Sequence, residues 1–564
     1  MIFVYVDKNL ERFKGRIVYA FEYVFTVLGY SWTIVDDVFS LPKDSLLIYY
    51  CKVLPENVEE FAYIVQSYSV ILITADEDFY VIGSYTKEKL MKSIRRIEIE
   101  NRVFPIISQM PFDFPVHVKS ISDAEFAKFE FDLIGNVFFH LSEEETCWQK
   151  PNKKKKKDER NQFQFDEFQN FPYVNRILLL LDKTIQGIVS PRQILVKKCL
   201  WPQKEQIAFA LSYNVNSLNK WKINTFFISI FESFFLLLTL KLGRFFRLTV
   251  SQLKFLISND EPYWNFQSIN DNEKSIKARS TWFLHSKAHK SDKIDYSFDD
   301  QLLIEELESI VHYGSELAFM PTHKASETNN FLDEYSHFSK ELKTKNVGIR
   351  HLFRSNLSEN SLIIERENGI LYDSSLTSNL KYGFPIGTCT PYIVWSNVLK
   401  DKAKPIWEIP INFNEKAFSL SKYSVEDFEI VKSYIKDLFA SAKEHKGLLH
   451  FNFNISSFSD IKYMYKLFSY ILGQADLIPS YKASLKQIIM WLKKRNNVEI
   501  DVQDNLVCFS FPEDIDDFTV VFYGDYRVVS FEGGNCSIKN STIRFYNIKK
   551  GTVVRVLFER EQNI

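Results

Sequence analysis

The start of the chain alternates short apolar runs with a segment of helical spacing. The apolar runs lie at 2–6, 32–35, 46–50 and 70–74, and the helical segment lies at 19–28. Strands that alternate with helices are typical of a parallel sheet covered by helices. We therefore predict an N-terminal α/β layer domain over residues 1–125. It lacks the glycine-rich loops that cradle phosphate in nucleotide-binding folds.

The same alternation returns in the middle of the chain, after a predicted helical connector over residues 126–200. Apolar runs between helical segments lie at 207–211, 279–284, 315–320, 348–352, 371–373 and 447–454. Repeated strand-then-helix units are typical of a (β/α) barrel, whose functional site lies at the carboxyl ends of its strands. We predict a central deformed (β/α) barrel over residues 201–480.

The end of the chain changes to a period of two. Alternating apolar and polar positions lie at 498–502, 506–511, 518–523, 541–546 and 553–558, with glycine-containing turns between them. This pattern predicts antiparallel strands joined by hairpins. We predict a small C-terminal antiparallel β-sandwich over residues 497–564, so the fold class is α/β with an all-β end.

Two unusual stretches interrupt these patterns. A polar segment at 150–164 carries five consecutive lysines at 153–157, and because like charges cannot pack together it predicts an exposed loop. A patch for anionic lipid or polyphosphate is the alternative. The apolar stretch at 225–240 contains Glu232 and is shorter than the roughly 20 residues that cross a bilayer. We predict a buried helix and no transmembrane span, with interfacial membrane contact as the alternative.

Composition narrows the class of protein. The chain has 564 residues, 46% of them hydrophobic, and a formal net charge of -1. A globular protein of several domains fits these values, and no overall basic field is present to attract nucleic acid. Six cysteines lie far apart without a CxxC pair, which indicates reduced thiols. Residues 1–7 lack the features of a signal peptide, so we predict a cytoplasmic protein.

Several motifs occur in a specific order along the chain. They are FDLIGNVFFHLSEEE at 131–145, FALSYNVN at 209–216, GIR at 348–350, GILYDSSL at 369–376 and the stretch from YGFPIGT to PY at 382–392. Together they resemble the polysaccharide deacetylases (NodB-homology, carbohydrate esterase 4-like) that carry an additional N-terminal domain. The resemblance implies a divalent metal held by one aspartate and two histidines, an aspartate base and a histidine acid.

The residues at these implied positions do not suit that chemistry. Asn214 stands at the base position and Asn216 at the metal aspartate, while Met320 and Lys324 stand at the two metal histidines. A carboxamide takes no proton at neutral pH and a protonated lysine offers no lone pair. A thioether suits soft metals rather than zinc beside oxygen ligands. We therefore expect no metal at this site.

Two histidines remain candidates for a role. His323 lies next to Lys324 and is a candidate displaced ligand. His450 is the candidate acid, although a second alignment of the same motif puts Phe453 at that position. Strand alternation places His450 on one face with Asn452 and Asn454, which predicts a polar wall at the barrel mouth.

Other residues are candidates for shaping the pocket. Arg350 and Asp373 match positions that orient the site in the family, and a structural ion pair between strand ends is the alternative. Candidate ligand-binding residues are Tyr213, Asn216, His323, Tyr372 and Tyr392. Aromatic rings at a barrel mouth stack on sugars, and the alternative is that these rings belong to the core.

Loss of the required chemistry at four positions predicts a catalytically inactive polysaccharide-deacetylase-like protein. It would bind a glycan, a sugar nucleotide or a protein partner through the barrel cleft. One alternative is an active, divergent, zinc-dependent hydrolase of an N-acetylated carbohydrate, with His323, His450 and Asp373 as its rebuilt site. The other alternative is a structural assembly component whose end domains contact other chains.

Overall fold

The protein is an α/β chain with an N-terminal mixed sheet, a central curled parallel sheet and two C-terminal antiparallel sheets. The predicted fold class is therefore confirmed. The computed structural model describes residues 1–53, 58–99, 102–121, 124–143, 168–190, 193–221, 223–258, 261–289, 292, 294–323, 325, 330–351, 359–377, 382–396, 404–415, 425–460 and 463–560.

The first part of the chain forms a six-stranded sheet and a separate two-stranded hairpin. The strands are β1 Ile2–Val6, β2 Trp32–Val35, β3 Leu46–Cys51, β4 Ser69–Thr74, β5 Ile94–Ile99, β6 Arg102–Ile107, β7 Val116–Ile121 and β8 Ala124–Phe129. The helices are α1 Lys14–Leu28, α2 Val58–Ser67, α3 Lys87–Ser93, α4 Leu133–Leu141 and α5 Tyr173–Ile188. The large sheet has the order β2-β1-β3-β4-β8-β7, with only β7 antiparallel to its neighbour, and β5 pairs β6.

The central part forms a ten-stranded sheet. The strands that follow β8 in the chain are β9 Leu195–Lys198, β10 Ile207–Val215, β11 Ser280–Leu284, β12 Glu316–Phe319, β13 Gly348–Ile349, β14 Tyr372–Asp373, β15 Tyr392–Ile393, β16 Trp407–Glu408, β17 Phe413–Asn414, β18 Leu448–Asn454 and β19 Ser480–Lys482. The sheet order is β15-β16-β14-β13-β12-β11-β10-β18-β17, with β19 also on β10 and only β15 antiparallel. A bridge from Thr377, after β14, to Ile411, before β17, curls the sheet toward a barrel.

The helices that follow α5 lie between or after these strands in the chain, and most of them cover the outside of the curled sheet. They are α6 Ile223–Leu238, α7 Leu242–Ser258, α8 Phe266–Ser275, α9 Gln301–His312, α10 Asn330–Glu341, α11 Glu359–Glu367, α12 Val425–His445, α13 Ser457–Asp460, α14 Met464–Asp476 and α15 Leu485–Asn497. All nine residues of β10 are buried, as expected for a parallel strand covered on both faces. Phe209, Leu211 and Tyr213 pack outward against helices, whereas Ala208 and Ala210 face inward.

Small residues inside the curl make room for large ones. Ala208 and Ala210 share an apolar cluster with Phe283, Met320 and Tyr372. Gly348 lies so close to the Tyr372 ring that a Cβ added there would be 1.9 Å from a ring carbon. The interior is therefore packed. Glu316 forms a polar contact low in the interior with Thr281 and Tyr372, and a larger cluster of polar side chains lies toward the carboxyl ends of the strands.

The last part of the chain forms two four-stranded antiparallel sheets. Its strands are β20 Glu499–Gln503, β21 Leu506–Phe511, β22 Ile515–Tyr523, β23 Tyr526–Glu532, β24 Cys536–Lys539, β25 Thr542–Ile548 and β26 Thr552–Arg560. The sheet orders are β20-β21-β26-β23 and β24-β25-β22-β9. The second sheet takes its edge strand, β9, from the segment before the barrel.

The segment around β9 also ties the end of α1 to the rest of the molecule. Gly29 follows α1 with a φ of 84° and accepts a hydrogen bond from the Lys198 backbone N–H at 2.9 Å. A Cβ on Gly29 would lie 2.2 Å from the Lys198 carbonyl oxygen, so this turn and this close approach require glycine. Arg495 donates to the Thr26 carbonyl at 2.8 Å from the other side.

The apolar stretch at 225–240 is not the buried helix that its composition predicts. It forms most of α6, which packs on α7 with large apolar side chains facing outward; Phe231 is 76% exposed. The prediction is wrong because the stretch leaves the barrel after β10 and, among the described residues, makes its main contact with α7 along one face. No helix among the described residues is long and apolar enough to cross a membrane.

Candidate functional site

A polar cluster lies inside the curl, near the carboxyl ends of β10, β13 and β18. Because the strands run parallel, their carboxyl ends meet at one edge of the sheet, where a barrel of this kind places its site. Parts of the connections after β12, β13, β14 and β17 lie outside the described residues, at 326–329, 352–358, 378–381 and 416–424. The site is therefore defined here by the strand ends themselves.

Arg350, the residue after β13, stands at the centre of the cluster and is 4% exposed. An arginine side chain has five N–H donors, and all of them are used. Nε donates to the Ser374 carbonyl at 2.8 Å, one terminal nitrogen donates to Asn214 Oδ1 at 2.9 Å and to Asn452 Oδ1, and the other reaches Ser374 Oγ at 3.0 Å and His450 Nε2 at 3.4 Å. Every one of these acceptors is neutral.

The guanidinium of Arg350 is thus a buried cation that contacts no carboxylate by a hydrogen bond among the described residues. It also lies over the ring of Phe283, 3.8 Å from the ring centre, which is a favourable position for a cation. Burial lowers the pKa of Arg350 to about 9, although Tyr372 and the carboxyls of Asp373 and Glu408 act in the opposite direction. At neutral pH the guanidinium still carries its charge, and neutral acceptors hold it in place.

His450 is buried beside this arginine. Its Nε2 lies 2.7 Å from Ser212 Oγ and its Nδ1 lies 3.2 Å from the Pro410 carbonyl oxygen. Burial, and after it the charge of Arg350, hold the pKa of His450 well below its usual range. A neutral imidazole with Nδ1–H donating to a carbonyl leaves Nε2 as an acceptor. His450 therefore carries no spare proton to give.

The two alignments left open at β18 place different residues at the acid position, and the structure places them on opposite faces. His450 lies inside the curl with Asn452 and Asn454, as strand alternation predicts. Phe453 packs outside with the helices. The polar wall predicted along β18 thus forms, facing the end of β10.

A second hydrogen-bonded chain lies above the first, around Asn216. His285 Nε2 lies 3.1 Å from Asn216 Oδ1, and Asn216 Nδ2 donates to Asn454 Oδ1 at 3.0 Å. The amide of Asn454 in turn donates to the buried carboxylate of Glu415. Each amide in this chain uses both its oxygen and its nitrogen. His285 was missed by the sequence reasoning, although it directly follows a predicted strand.

The structure describes two of the three positions that the family resemblance assigns to a metal, Asn216 and Met320. Met320 is fully buried in the apolar cluster with Phe283, and Lys324 lies outside the described residues. His323 donates its backbone N–H to Asp292 at 3.0 Å. Within the described part of the chain, no group of three or more His, Cys, Asp or Glu side chains could hold a metal ion. An amide, a thioether and a lysine do not fit a zinc ion.

Four other predicted residues lie away from the cluster. Tyr213 faces the helices and donates to Glu273 at 2.6 Å, because it alternates with the inward Ser212. Tyr372 donates to Glu316 at 2.9 Å, low in the interior. Tyr392 donates to Glu143 at 2.8 Å in the core shared with α1 and α4.

Asp373 is the fourth of these residues. It pairs in register with Ile349 rather than with Arg350, and its carboxylate accepts from Ser375. The ion pair considered for Arg350 and Asp373 is not formed, since adjacent residues of a strand point to opposite faces. Ser374, which sequence reasoning did not single out, contacts the arginine instead.

Fold and strand-end cluster define a curled parallel (β/α) barrel with a polar interior at its carboxyl edge. No family model matches the sequence, and no curated protein matches it. Among solved structures, the chain is similar to Agd3, a novel carbohydrate deacetylase, with 8% identity over 99% of both chains and a TM-score of 0.36.

Two other solved structures are similar over the barrel. A probable polysaccharide deacetylase from Pseudomonas aeruginosa PAO1 has 15% identity over 53% of this chain and 94% of its own, with a TM-score of 0.34. Puue allantoinase has 13% identity over 52% and 92%, with a TM-score of 0.33. At scores this low, the chemistry of the site has to be judged from the residues of this chain.

Proposed function

We propose that this protein is a catalytically inactive polysaccharide-deacetylase-like protein that binds a neutral glycan at the mouth of its barrel. The observation that carries the proposal is the hydrogen bond from Arg350 to Asn214, 2.9 Å long. It places an amide, with its oxygen already occupied, at the position that the resemblance gives to the catalytic base. An amide there cannot remove a proton from water.

The remaining groups around this amide are also unsuited to hydrolysis. His450 is neutral, with Nε2 facing Ser212 and Arg350. Asn216 is held between His285 and Asn454 by its own oxygen and nitrogen. General acid–base catalysis needs a group that changes its protonation near the working pH, and this cluster offers none in contact with Asn214.

The same groups suit the recognition of hydroxyl groups. Among the described residues, Asn214 Nδ2 has no hydrogen-bond partner and Asn216 Nδ2 uses one of its two N–H groups, so both amides can still donate to a hydroxyl. The amide nitrogen of Asn452 is a buried donor without an acceptor in the described part of the chain. Buried donors are seldom left unpaired, so a sugar hydroxyl that reaches this nitrogen gains a bond.

A neutral glycan fits this cluster better than a sugar nucleotide. The diphosphate of a sugar nucleotide is bound by arginine forks, lysines or backbone N–H groups. Arg350 has no free N–H to offer, since all of its donors are used inside the cluster. We therefore propose a neutral glycan rather than a sugar nucleotide as the ligand of the barrel mouth.

The test separates binding from hydrolysis in the same sample. Purified full-length protein is mixed with N-acetylglucosamine oligomers, with and without added zinc; calorimetry measures binding and an acetate assay measures deacetylation. We expect binding without acetate release. Asn216→Ala should weaken binding by roughly tenfold, whereas Asn272→Ala, at a half-buried asparagine on α8, should leave it unchanged. Zinc-dependent acetate release that a chelator abolishes would refute the proposal.

A further inference from the structure

The helical hairpin formed by α6 and α7, residues 223–258, has an inverted distribution of polarity. On α6, large apolar side chains face outward over half of the helix surface: Phe227, Ile228, Phe231, Phe234, Phe235 and Leu238 are all exposed. On α7, an exposed apolar stripe runs along one side through Leu242, Phe246, Val250, Leu253 and Ile257. Positions spaced by three and four residues share one face of a helix.

Polar side chains lie between the two helices instead. Gln252 on α7 donates to Ser229 at 2.8 Å, and Ser233 donates to Gln252 at 3.3 Å. All three side chains are buried. Small residues and interhelical hydrogen bonds at the contact, with apolar residues outside, are the arrangement of helices in a lipid environment. In water the opposite arrangement is the stable one.

The exposed apolar surface is too large to be incidental. Ile257 is 83% exposed and Phe231 76%, and a full aromatic side chain presents about 150–250 Å². The outward apolar residues of the hairpin therefore sum to an area on the order of 1,000 Å², well above the few hundred Å² that mark an interaction site.

The net charge of the hairpin indicates which kind of partner covers its apolar surface. Residues 223–258 contain four basic residues, Lys241, Arg244, Arg247 and Lys254, and one acidic residue, Glu232, for a net charge of +3, whereas the whole chain carries -1. Arg244 and Lys254 line a cavity of about 910 Å³ between the hairpin and the barrel, together with Phe246 and Val250 of the apolar stripe. Basic residues beside an apolar face are typical of helices that lie on anionic membranes.

We propose that this hairpin docks on an anionic lipid surface and lies in the plane of the interface. Such helices sink their apolar face about 5–10 Å into the boundary between headgroups and acyl chains. A tip-first insertion is disfavoured, since Lys241 and Arg244 lie at the tip. Docking of a second copy would bring two hairpins of charge +3 together, whereas anionic headgroups neutralise that charge.

Lipid docking of the hairpin is independent of glycan binding at the barrel mouth, and vesicle flotation tests it separately. Full-length protein is floated with vesicles of phosphatidylcholine alone, and with vesicles containing about one-third phosphatidylglycerol. We expect flotation with the anionic vesicles and little with the neutral ones. Replacing Phe227, Phe231 and Phe234 together by serine should reduce the bound fraction at least tenfold. No flotation of the wild type with anionic vesicles would overturn the proposal.

Matched variants control for surface properties elsewhere. Phe114→Ser with Val118→Ser removes exposed apolar side chains from the N-terminal part and should leave flotation unchanged. Arg244→Gln and Lys254→Gln should each weaken binding roughly fivefold, whereas Lys549→Gln, at an exposed lysine of the C-terminal part, should not. Sedimentation of each variant without lipid gives its oligomeric state. A wild-type dimer that the phenylalanine variant converts to monomer, together with unchanged flotation of that variant, would also overturn it.

Discussion

Polar groups are arranged in opposite ways in two regions of the molecule, the interior of the barrel and the hairpin of α6 and α7. In the barrel, Arg350 is buried among acceptors supplied by three other segments of the same chain, and every donor it has is used. In the hairpin, the side chains of Ser229, Ser233 and Gln252 are buried between the two helices, and the outward apolar side chains are exposed. The polar groups of the barrel find their partners within the same chain, whereas the exposed apolar side chains of the hairpin need a surface outside the chain to cover them.

This difference predicts where a substitution is costly. A buried donor or acceptor that loses its partner costs the full desolvation penalty, whereas an exposed apolar side chain loses little when it becomes polar. The barrel cluster should therefore govern the stability of the folded chain, and the hairpin should govern what the chain attaches to.

The largest effect is expected from Arg350→Met. The substitution leaves the oxygens of Asn214, Asn452 and Ser374 without their donor, so the free energy of unfolding should fall by about 3–5 kcal/mol. Urea unfolding measures this loss in the free energy of unfolding. Arg12→Met, at an arginine that is 65% exposed and bound to Glu77, should change it by about 0.5 kcal/mol or less. Equal losses in the two variants would mean that the cluster does not hold the barrel together.

The next effect concerns a buried carboxyl on the outer face of the barrel. Burial raises the pKa of Glu273 to about 8, despite hydrogen bonds from Tyr213 and Ser280 that favour its charged form, whereas the unfolded value is about 4.3. Between these two values the folded state binds more protons than the unfolded state. The free energy of unfolding of the wild type should therefore fall as the pH rises toward 8.

Glu273→Gln replaces the carboxyl group by an amide that does not titrate. Relative to the wild type, this variant should gain about 3 kcal/mol in the free energy of unfolding between pH values of about 5.5 and about 8. Glu88→Gln, at an exposed carboxyl on α3, serves as the control, and its difference from the wild type should stay flat. Unfolding curves of the wild type and of both variants at several pH values measure these differences. A flat difference for Glu273→Gln would show that this carboxyl is charged throughout.

A third prediction uses two neighbouring amides with opposite expected signs. Asn214→Asp gives the buried guanidinium of Arg350 a charged acceptor and should raise the free energy of unfolding by about 1–2 kcal/mol. Asn216→Asp replaces the amide that donates to Asn454, so two oxygens then face each other and stability should fall by about 1 kcal/mol. Thermal unfolding of both variants tests this pair. Changes of the same sign would show that the two hydrogen-bonded chains are not distinct.

The smallest effect is expected on the hairpin. Phe231→Ser should leave the free energy of unfolding within about 0.5 kcal/mol of the wild type, because the ring is mostly exposed. Gln252→Ala, between the same two helices, should cost about 1 kcal/mol because Ser229 and Ser233 lose their partner. A larger loss for Phe231 than for Gln252 would mean that the outward face of α6 is covered within the chain.

Strand pattern alone predicts much of the barrel. The run at 207–211 lies within β10, and the alternation along β18 correctly groups His450 with Asn452 and Asn454. The same rule, applied to β10, separates Tyr213 from Ser212 and Asn214. The motif at 209–216 nevertheless makes Tyr213 a candidate ligand residue, because motif membership says nothing about which face of the strand a side chain occupies.

Other features depend on pairings between distant segments, which a single sequence does not reveal. Asp373 bonds Ser375 rather than Arg350 because the register of β13 on β14 pairs it with Ile349. His285 reaches Asn216 only because β11 lies beside β10. The exposure of α6 likewise depends on what packs around it. Its composition resembles that of a core helix, and only the fold shows that no core is there.

The pairing of β9 with β22 bears on the order in which the molecule can assemble during synthesis. Lys198 pairs with Val520, so about 320 residues separate the two strands of this ladder. The nascent chain must carry β9 without its β22 partner until the last part of the chain leaves the ribosome, and contacts this distant in sequence form slowly. Translation that stops before β22 therefore leaves an open strand edge, which is the kind of surface that recruits other chains into aggregates.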